Sequence, residues 1–388
     1  RRSRRKSPWQ PECARRGCFT MIGMRAGADR ITNALILSMA TLLMALVLGP
    51  AQARAADERV PFTPPSMTPS LGAFGDSGIR VPDRVFDGGA PVTSGLRKAA
   101  AAVSYPDGDG HSVSIRVSDS YLPDPAADQA LATFLGSLLH GSEMSRLNVV
   151  VVTGPEITNI CGAGAAACYY AGEDKMVIVG ESSFGGLPTN YVIAHEYGHH
   201  IANHRKNNPW RAIDFGTKRW ASYEGVCPNT ARGIYFPGNE GSRYFENPGE
   251  AFAEAYAKYD SRYRSFPWDW TSSLDPDANS YESIRQDVLQ PWTGNSVSRF
   301  SGQVNRGRSS AASFDTPLDG GLSVRLTAPA GTDFDLALLT NGGRVLKRSA
   351  RSGSRERISF AVCGQVKMKF RVTAYRGSGL AKVTLSKP

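Results

Sequence analysis

The chain has 388 residues, of which 41% are hydrophobic and 21% charged, and its formal net charge is +10. This length and mixture predict two or three globular domains and exclude a disordered, collagenous or polytopic membrane chain. The charge is unevenly placed: residues 1–55 carry a net +8, residues 56–295 a net −9 and residues 296–388 a net +11. The chain is therefore not one uniformly basic binding protein but an acidic central part followed by a basic one.

Residues 1–55 are predicted to hold an export signal, at about 21–55, behind a basic segment. An apolar run over 34–48 is followed by small residues at Ala53 and Ala55, where cleavage is expected. This order is typical of a secretory signal, and the run is short for a bilayer span. We therefore expect a secreted, extracellular protein without stable membrane insertion after cleavage. A retained membrane anchor is the alternative.

Four cysteines follow the predicted cleavage point: Cys161, Cys168, Cys227 and Cys363. An exported chain can oxidise its cysteines to disulfides. Cys161 and Cys168 bracket a short Gly/Ala loop and are expected to pair. A bond between Cys227 and Cys363 follows by elimination, and their pairing stays open at this point.

The mature chain is predicted to begin with a linker or propeptide-like arm over 56–105, because much of this segment is rich in Pro, Gly, Ser and Thr without a sustained period. Residues 106–295 are predicted to form one α+β domain. Its expected elements are a strand at 111–119, a helix at 126–140, strands at 147–153 and 175–180, and a helix from an N-cap at Thr189 to about Asn203. A partly ordered surface excursion is expected over 205–245, and a second helix opens at Asn247 with Pro at its first position.

The pattern His-Glu-Tyr-Gly-His at 195–199 contains residue types that can bind a metal ion and transfer protons. Two histidines four positions apart lie about 40° apart around a helix, so both imidazoles can reach one Zn²⁺. Glu196 lies beside the open position of such a metal, where a carboxylate can take a proton from bound water. The pattern predicts a catalytic zinc site with His195 and His199 as ligands and Glu196 as general base. A helix that carries surface histidines by coincidence is the alternative.

A third zinc ligand is expected from a carboxylate of the second helix. The metzincin arrangement instead needs Gly and His seven and ten residues after the first histidine, where this chain has Ala202 and Arg205. Glu250 is the best candidate, although it also stands at the capping-box position of its helix. Glu246 and Glu240 are the fallback ligands.

The segment Glu246-Asn-Pro-Gly-Glu-Ala-Phe-Ala-Glu254, together with the motif at 195–199, resembles the thermolysin-like superfamily of zinc peptidases, the gluzincins, and more closely their lethal-factor-like branch. The resemblance implies a zincin-like domain with a small mixed sheet, an active-site helix and a ligand helix. It also implies Glu250 as the third zinc ligand and Glu254 as the carboxylate that orients His195.

The same resemblance suggests two further roles. Tyr244 would stabilise the oxyanion of the tetrahedral intermediate; a cleft-wall role for Tyr244, with Arg243 or His204 serving instead, stays open. The strand at 175–180 lies where zincins place the edge strand that pairs with an extended peptide substrate. An ordinary interior strand is the alternative there.

Residues 301–388 are predicted to form an all-β sandwich, because short alternating runs are separated by Gly, Asn and Ser. The runs Thr-Asp-Phe-Asp-Leu at 332–336 and Gly-Ser-Gly at 377–379 resemble the bacterial pre-peptidase C-terminal domain, which is appended to secreted peptidases and often removed during maturation. The excess of basic residues either docks this domain on the acidic one or holds the enzyme on an anionic cell-wall polymer or an acidic substrate. Nucleic acid is not expected, since no aromatic platform is interleaved with the basic residues.

These observations predict a secreted zinc metallopeptidase that acts on peptides or proteins through a zinc-activated water. The alternative from another class is an extracellular surface-binding protein whose zincin domain is catalytically inactive. The intact His195, Glu196, His199 and Glu250 argue against that alternative. A zinc hydrolase for small molecules is a weaker option.

Overall fold

The computed structural model describes residues 84–86, 101–184 and 186–388, and the backbone of a two-residue strand, β1 (Gln10–Pro11). The predicted export signal and most of the predicted arm at 56–105 lie outside the described residues. In the described ranges, no helix is long and apolar enough to cross a membrane.

A six-stranded mixed sheet forms the centre of the first domain, in the order β2-β6-β7-β5-β4-β3. Its strands are β2 (Val85–Phe86), β3 (Val103–Pro106), β4 (Ser112–Val117), β5 (Asn148–Val152), β6 (Ala167–Tyr170) and β7 (Lys175–Val179). Strands β4, β5 and β7 run parallel, whereas β6 is antiparallel to β7. The Val-rich β5 and β7 are buried over most of their length, as expected for parallel strands covered on both faces.

The expectation of a substrate-pairing edge strand at 175–180 is wrong. Strand β7 pairs with β5 on one side and with β6 on the other, so it lies inside the sheet. Beyond β6, the arm residues of β2 fill the next position, with Val85 opposite Tyr169 and Phe86 opposite Tyr170. The rings of Phe86 and Tyr170 stack at 4.6 Å. Among the described residues, the arm thus forms this edge of the sheet.

The described residues contain eight α-helices and four further two-residue strands, besides short 3₁₀ turns. The helices are α1 (Pro125–Gly136), α2 (Gly154–Cys161), α3 (Thr189–Asn203), α4 (Ala212–Phe215), α5 (Lys218–Tyr223), α6 (Val226–Ala231), α7 (Pro248–Ala257) and α8 (Ala278–Leu289). The short strands are β8 (Ser183–Phe184), β9 (Leu187–Pro188), β10 (Lys206–Asn207) and β11 (Trp210–Arg211). The 3₁₀ turns cover Ser142–Arg146, Ala171–Glu173, Tyr244–Glu246, Ser261–Tyr263 and Ser272–Leu274.

Two local expectations need correction. Thr189 is the first residue of α3 and not its N-cap, because its hydroxyl donates a hydrogen bond to the carbonyl of Glu181 and Pro188 takes the cap position. The segment 205–245 is not a surface excursion. It folds into α4, α5 and α6, and its aromatic side chains Trp220 and Tyr235 are buried in the main core. Burial of these aromatic side chains stabilises the folded segment, although its high Gly, Pro and Asn content favours irregular structure.

The C-terminal part is a β-sandwich, as predicted, and begins at Ser296 rather than near 301. One sheet has the order β1-β12-β19-β14-β17 and the other β13-β18-β15-β16. The strands are β12 (Ser296–Val304), β13 (Ser309–Thr316), β14 (Gly320–Thr327), β15 (Asp333–Thr340), β16 (Val345–Ser349), β17 (Arg355–Val362), β18 (Val366–Arg376) and β19 (Gly379–Lys387). Alternate side chains of the strands, Phe334, Leu336 and Phe370 among them, form a separate core between the sheets.

Both anticipated cysteine pairs lie at disulfide distance. Cys161 and Cys168 close the loop before β6, with their Cα atoms 5.7 Å apart. Cys227 of α6 and Cys363 of the sandwich have Cα atoms 5.4 Å apart, and this bond joins the two domains covalently.

The contact between the two domains is not formed by the basic residues of the sandwich. In this contact the first domain supplies the buried Lys218, and the sandwich supplies Asp319, whose amide donates to Ser222 Oγ at 2.9 Å. Burial lowers the pKa of Lys218 to about 8, against the opposing effect of the Asp319 carboxylate. The basic side chains of the sandwich point instead to solvent, Arg355, Arg357 and Arg371 among them. The expectation that they dock the sandwich on the acidic domain is therefore wrong.

Candidate functional site

Helices α3 and α7 pack closely because Gly198 has no side chain. A Cβ atom at Gly198 would lie 2.7 Å from the Cα of Ala253, closer than real Cβ contacts, and 3.0 Å from its carbonyl oxygen. Any larger residue would push the helices apart. The close approach brings the two acidic residues of α7, Glu250 and Glu254, against the motif histidines of α3.

The two motif histidines and Glu250 converge on one point. His195 Nε2 and His199 Nε2 each lie 3.4 Å from Glu250 Oε2, and all three side chains are fully buried. In a tetrahedral zinc site with ordinary bond lengths, neighbouring ligand atoms are about 3.3–3.5 Å apart. The three residues therefore form a group that could hold a metal ion.

Glu250 fits the role of a metal ligand better than that of a helix cap. Asn247 caps α7 through its own side chain, which accepts the Gly249 amide at 3.1 Å. Among the described residues, no donor reaches the buried Glu250 Oε1. A buried carboxylate oxygen without a donor is costly unless a cation satisfies it. Two imidazoles and one carboxylate are also a common donor set for catalytic zinc.

The fallback ligands lie elsewhere. Glu240 Oε1 accepts a hydrogen bond from the Asn247 amide group at 3.0 Å. Glu246 pairs with Arg243 at 3.5 Å on the surface. Neither carboxylate belongs to the histidine group.

Glu254 orients His195 from the side opposite the candidate metal position. Its Oε2 lies 3.1 Å from His195 Nδ1, and its Oε1 accepts a hydrogen bond from the Tyr191 hydroxyl. Burial, together with the Glu254 carboxylate, raises the pKa of Tyr191, so this hydroxyl stays protonated and donates. With the Nδ1 proton directed to Glu254, the lone pair of His195 Nε2 points towards Glu250.

Tyr244 and Trp270 line the same place. The Tyr244 hydroxyl donates to Glu250 Oε2 at 3.0 Å, which places the predicted oxyanion residue beside the candidate ligands. Trp270 stacks on the His195 ring at 5.9 Å and also contacts the Tyr244 ring. Sequence reasoning missed Trp270, and no local pattern marks it. It also missed Tyr191, which the spacing of four residues before His195 could have indicated.

The remaining residues of the motif helix have separate positions. Glu196 is fully buried and directly follows His195. His200 lies on another face, where its Nε2 donates to the Glu143 carbonyl at 3.0 Å and its Nδ1 lies 2.8 Å from the Tyr169 hydroxyl. Burial lowers the pKa of His200 to about 4. His204 pairs with Asp174 at 2.8 Å and is not part of the group around Glu250.

Comparisons with known proteins add little. No protein-family model matches the chain, and no curated protein matches it. Among solved structures, the chain is similar to the pre-peptidase C-terminal domain of a collagenase from Bacillus anthracis, at 14% identity over 24% of this chain and 88% of that one, with a TM-score of 0.21. It is also similar to PliG, a periplasmic lysozyme inhibitor from Aeromonas hydrophila, at 10% identity over 25% and 90% of the two chains, with a TM-score of 0.20. Likenesses of this size carry no argument about function.

Proposed function

We propose that the protein is a secreted zinc metallopeptidase whose first domain is zincin-like. The observation that carries the proposal is the convergence of His195, His199 and Glu250 on one point, with 3.4 Å between each imidazole nitrogen and the carboxylate oxygen. The buried Glu196, which directly follows His195, supports a hydrolytic site rather than a structural one, because a closed structural site needs no base.

Zn²⁺ bound at this site would act as a Lewis acid and bring the pKa of water to about 7. Glu196 would serve as the general base, taking a proton from the attacking water and returning it to the leaving amine. Glu254 and Tyr191 hold His195 in one tautomer and one orientation throughout. Tyr244 is placed to donate a hydrogen bond to the developing oxyanion, since its hydroxyl already lies at a candidate ligand.

We further propose that the sandwich is a pre-peptidase C-terminal domain that holds the enzyme on an anionic cell-wall polymer. Its basic side chains are exposed and therefore available to a polyanion. The buried contact with the first domain uses Asp319 and leaves these side chains free of that contact. This exposure is also what would favour the alternative function, a surface-binding protein with an inactive zincin domain.

The test of the proposal is hydrolysis of casein or a quenched peptide library by the purified mature chain. We expect cleavage that a zinc chelator abolishes and that added Zn²⁺ restores, because the ligands must hold the metal for water to be activated. Mass spectrometry of the products gives the cleaved bonds. Binding to an anionic polymer without any chelator-sensitive cleavage would contradict the peptidase proposal and support the surface-binding alternative.

A further inference from the structure

A second cluster of metal-binding side chains lies in the first domain. Asp107 and His111 flank the loop between β3 and β4, and His140 follows the end of α1; their ligand atoms all lie within 4.8 Å of one another. We propose that these three residues bind a second divalent transition-metal ion, Zn²⁺ or one of similar chemistry, which stabilises the fold and takes no part in peptide hydrolysis. Two imidazole ligands favour such an ion over Ca²⁺ or Mg²⁺, which prefer oxygen.

The spacing of the donor atoms is close to that of a metal site. Asp107 Oδ2 lies 3.4 Å from His111 Nδ1 and 3.9 Å from His140 Nε2. Neighbouring ligands of tetrahedral zinc are about 3.3–3.5 Å apart, so only His140 would need to move inward, by a few tenths of an ångström. A water molecule or Asp109 can complete the coordination. The side chain of Asp109 is exposed, and its Oδ2 lies 3.5 Å from His140 Nε2.

The carboxylate of Asp107 is buried, and only one of its two oxygens accepts hydrogen bonds from the described residues. Asp107 is 2% exposed, and its Oδ1 accepts the amides of Asp109 and His111, each at 2.9 Å. Within the described part of the chain, neither Asp107 Oδ2 nor His111 Nδ1 has a hydrogen-bond partner. A cation between these atoms would satisfy both of them.

The second ring nitrogen of His140 has a backbone acceptor that orients the ring, as metal-binding histidines usually do. Its Nδ1 lies 3.2 Å from the carbonyl of Gly141, an acceptor that fixes a proton on Nδ1 and leaves the lone pair on Nε2. The competing arrangement has a proton on Nε2, because Nε2 also lies 3.2 Å from the carbonyl of Gly136. That arrangement binds no metal, and the experiment below distinguishes the two.

The backbone holds the loop against the end of α1. A Cβ atom at Gly136 would lie 2.2 Å from the carbonyl oxygen of Asp107, so only glycine permits this contact. Gly108 and Gly110 both have a φ of +91°, in the left-handed region that favours glycine. The positions of Asp107 and His111 are thus fixed before any metal binds, which lowers the entropic cost of binding.

A third cluster, Asp174, His200 and His204, differs from the Asp107 cluster in its carboxylate, because Asp174 Oδ1 already accepts a hydrogen bond from Asn203 Nδ2 at 3.0 Å. Both ring nitrogens of His200 already have partners, the Glu143 carbonyl and the Tyr169 hydroxyl. His204 Nε2 lies 2.8 Å from Asp174. This cluster is a satisfied hydrogen-bond network, and it supplies the control for the test of the Asp107 cluster.

The proposed ion would brace the segment that supports α3. Directly after His140, the Gly141 amide donates to Glu143 Oε1 at 2.6 Å. The same oxygen accepts the Tyr197 hydroxyl of α3 at 3.2 Å, and Glu143 Oε2 pairs with Arg205 at 2.9 Å. We therefore expect the ion to affect the thermal stability of the first domain.

The test is the zinc content of the purified full chain after equilibration with a defined low concentration of free Zn²⁺, measured by inductively coupled plasma mass spectrometry. We expect two ions per chain in the wild type, one in His111→Ala, one in His199→Ala and none in the double variant. The control His204→Ala should keep two. In the His199→Ala background, added Zn²⁺ should also raise Tm, and this rise should vanish when His111→Ala is added.

The outcomes separate this proposal from the proposed function. A single ion that is lost in His199→Ala and kept in His111→Ala would overturn the second site. The reverse pattern, one ion lost only in His111→Ala, would support the second site and contradict the proposed catalytic one. If His111→Ala fails to fold, the Tm of His199→Ala decides, since an unchanged Tm on adding Zn²⁺ would also overturn the second site.

Discussion

His195 lies between two carboxylates, each of which is close to one of its two ring nitrogens. Glu254 accepts from Nδ1, and Glu250 lies 3.4 Å from Nε2. In the proposed site, this arrangement would give the two acidic residues, which lie one turn apart on α7, different roles beside one histidine. The first would share the metal with His195, and the second would fix the imidazole so that its lone pair points to that metal.

Glu224 gives a residue-scale prediction outside the candidate site. Burial, with a smaller contribution from Asp277 and Asp275, raises the pKa of Glu224 to about 7. Its folded-state pKa is therefore above its unfolded value, so its contribution to stability is complete below about pH 4.5 and is lost as the pH rises through 7. Relative to Glu224→Gln, the wild type should lose up to about 3 kcal/mol of unfolding free energy across this window.

Urea denaturation of both proteins between pH 4 and 8 measures this difference. Asp315→Asn, at an exposed position of the sandwich, is the control and should leave the pH dependence of the wild type unchanged. Parallel pH dependence in the wild type and Glu224→Gln would contradict the prediction.

The packing of α3 on α7 is the feature that assembles the site at the scale of elements. The helix period alone places His195 beside His199 and Glu250 beside Glu254, but only the contact between the helices brings the pairs together. That contact depends on Gly198 because nothing larger fits against Ala253.

Gly198→Ala should therefore separate α3 from α7 and weaken metal binding. The shift displaces Glu250 from the two imidazoles, and we expect the zinc affinity to fall by at least about tenfold, as it does when the support of a ligand is lost. Competition with a fluorescent zinc chelator measures it. Gly294→Ala, where an added Cβ meets nothing, is the control. Equal zinc affinity in Gly198→Ala and the wild type would show that the close packing is not required.

The secondary-structure elements also show which parts of the fold and of the candidate site could be predicted from the sequence. The motif spacing predicts the histidine pair, because helix geometry is local. The acidic pair of the second helix is predicted by its composition and by resemblance. The position of β7 inside the sheet and the burial of 205–245 depend on partners distant in sequence, which periodicity does not encode. Trp270 reaches His195 from a loop, so nothing local marks it. The pairing of Val85 and Phe86 with β6 was likewise not predicted, because this part of the arm has no sustained period.

At the scale of the whole molecule, the split of charge corresponds to two domains that are joined by more than the peptide chain. The bond between Cys227 and Cys363 crosses the domain boundary, and the buried Lys218 lies where the sandwich supplies Asp319. The opposite net charges of the two parts therefore do not describe their contact, in which the acidic domain contributes the cation.

Cleavage between α8 and β12 should not release the sandwich. A specific protease site inserted between Leu289 and Ser296 would cut the chain, but the Cys227–Cys363 bond should keep both pieces together. Non-reducing gel electrophoresis should show one band after the cut and two after reduction. The control Cys363→Ser should give two bands without reduction. Two bands from the non-reduced wild type would contradict the disulfide link.

The most direct test of the central claim is Glu196→Gln. This change keeps the size of the side chain and all three candidate ligands, but removes the group that accepts the proton. We expect the variant to retain zinc at the level of the wild type while its rate of peptide hydrolysis falls by about 10²–10⁴-fold. A variant that is loaded with zinc and cleaves peptides at the rate of the wild type would contradict the proposed mechanism.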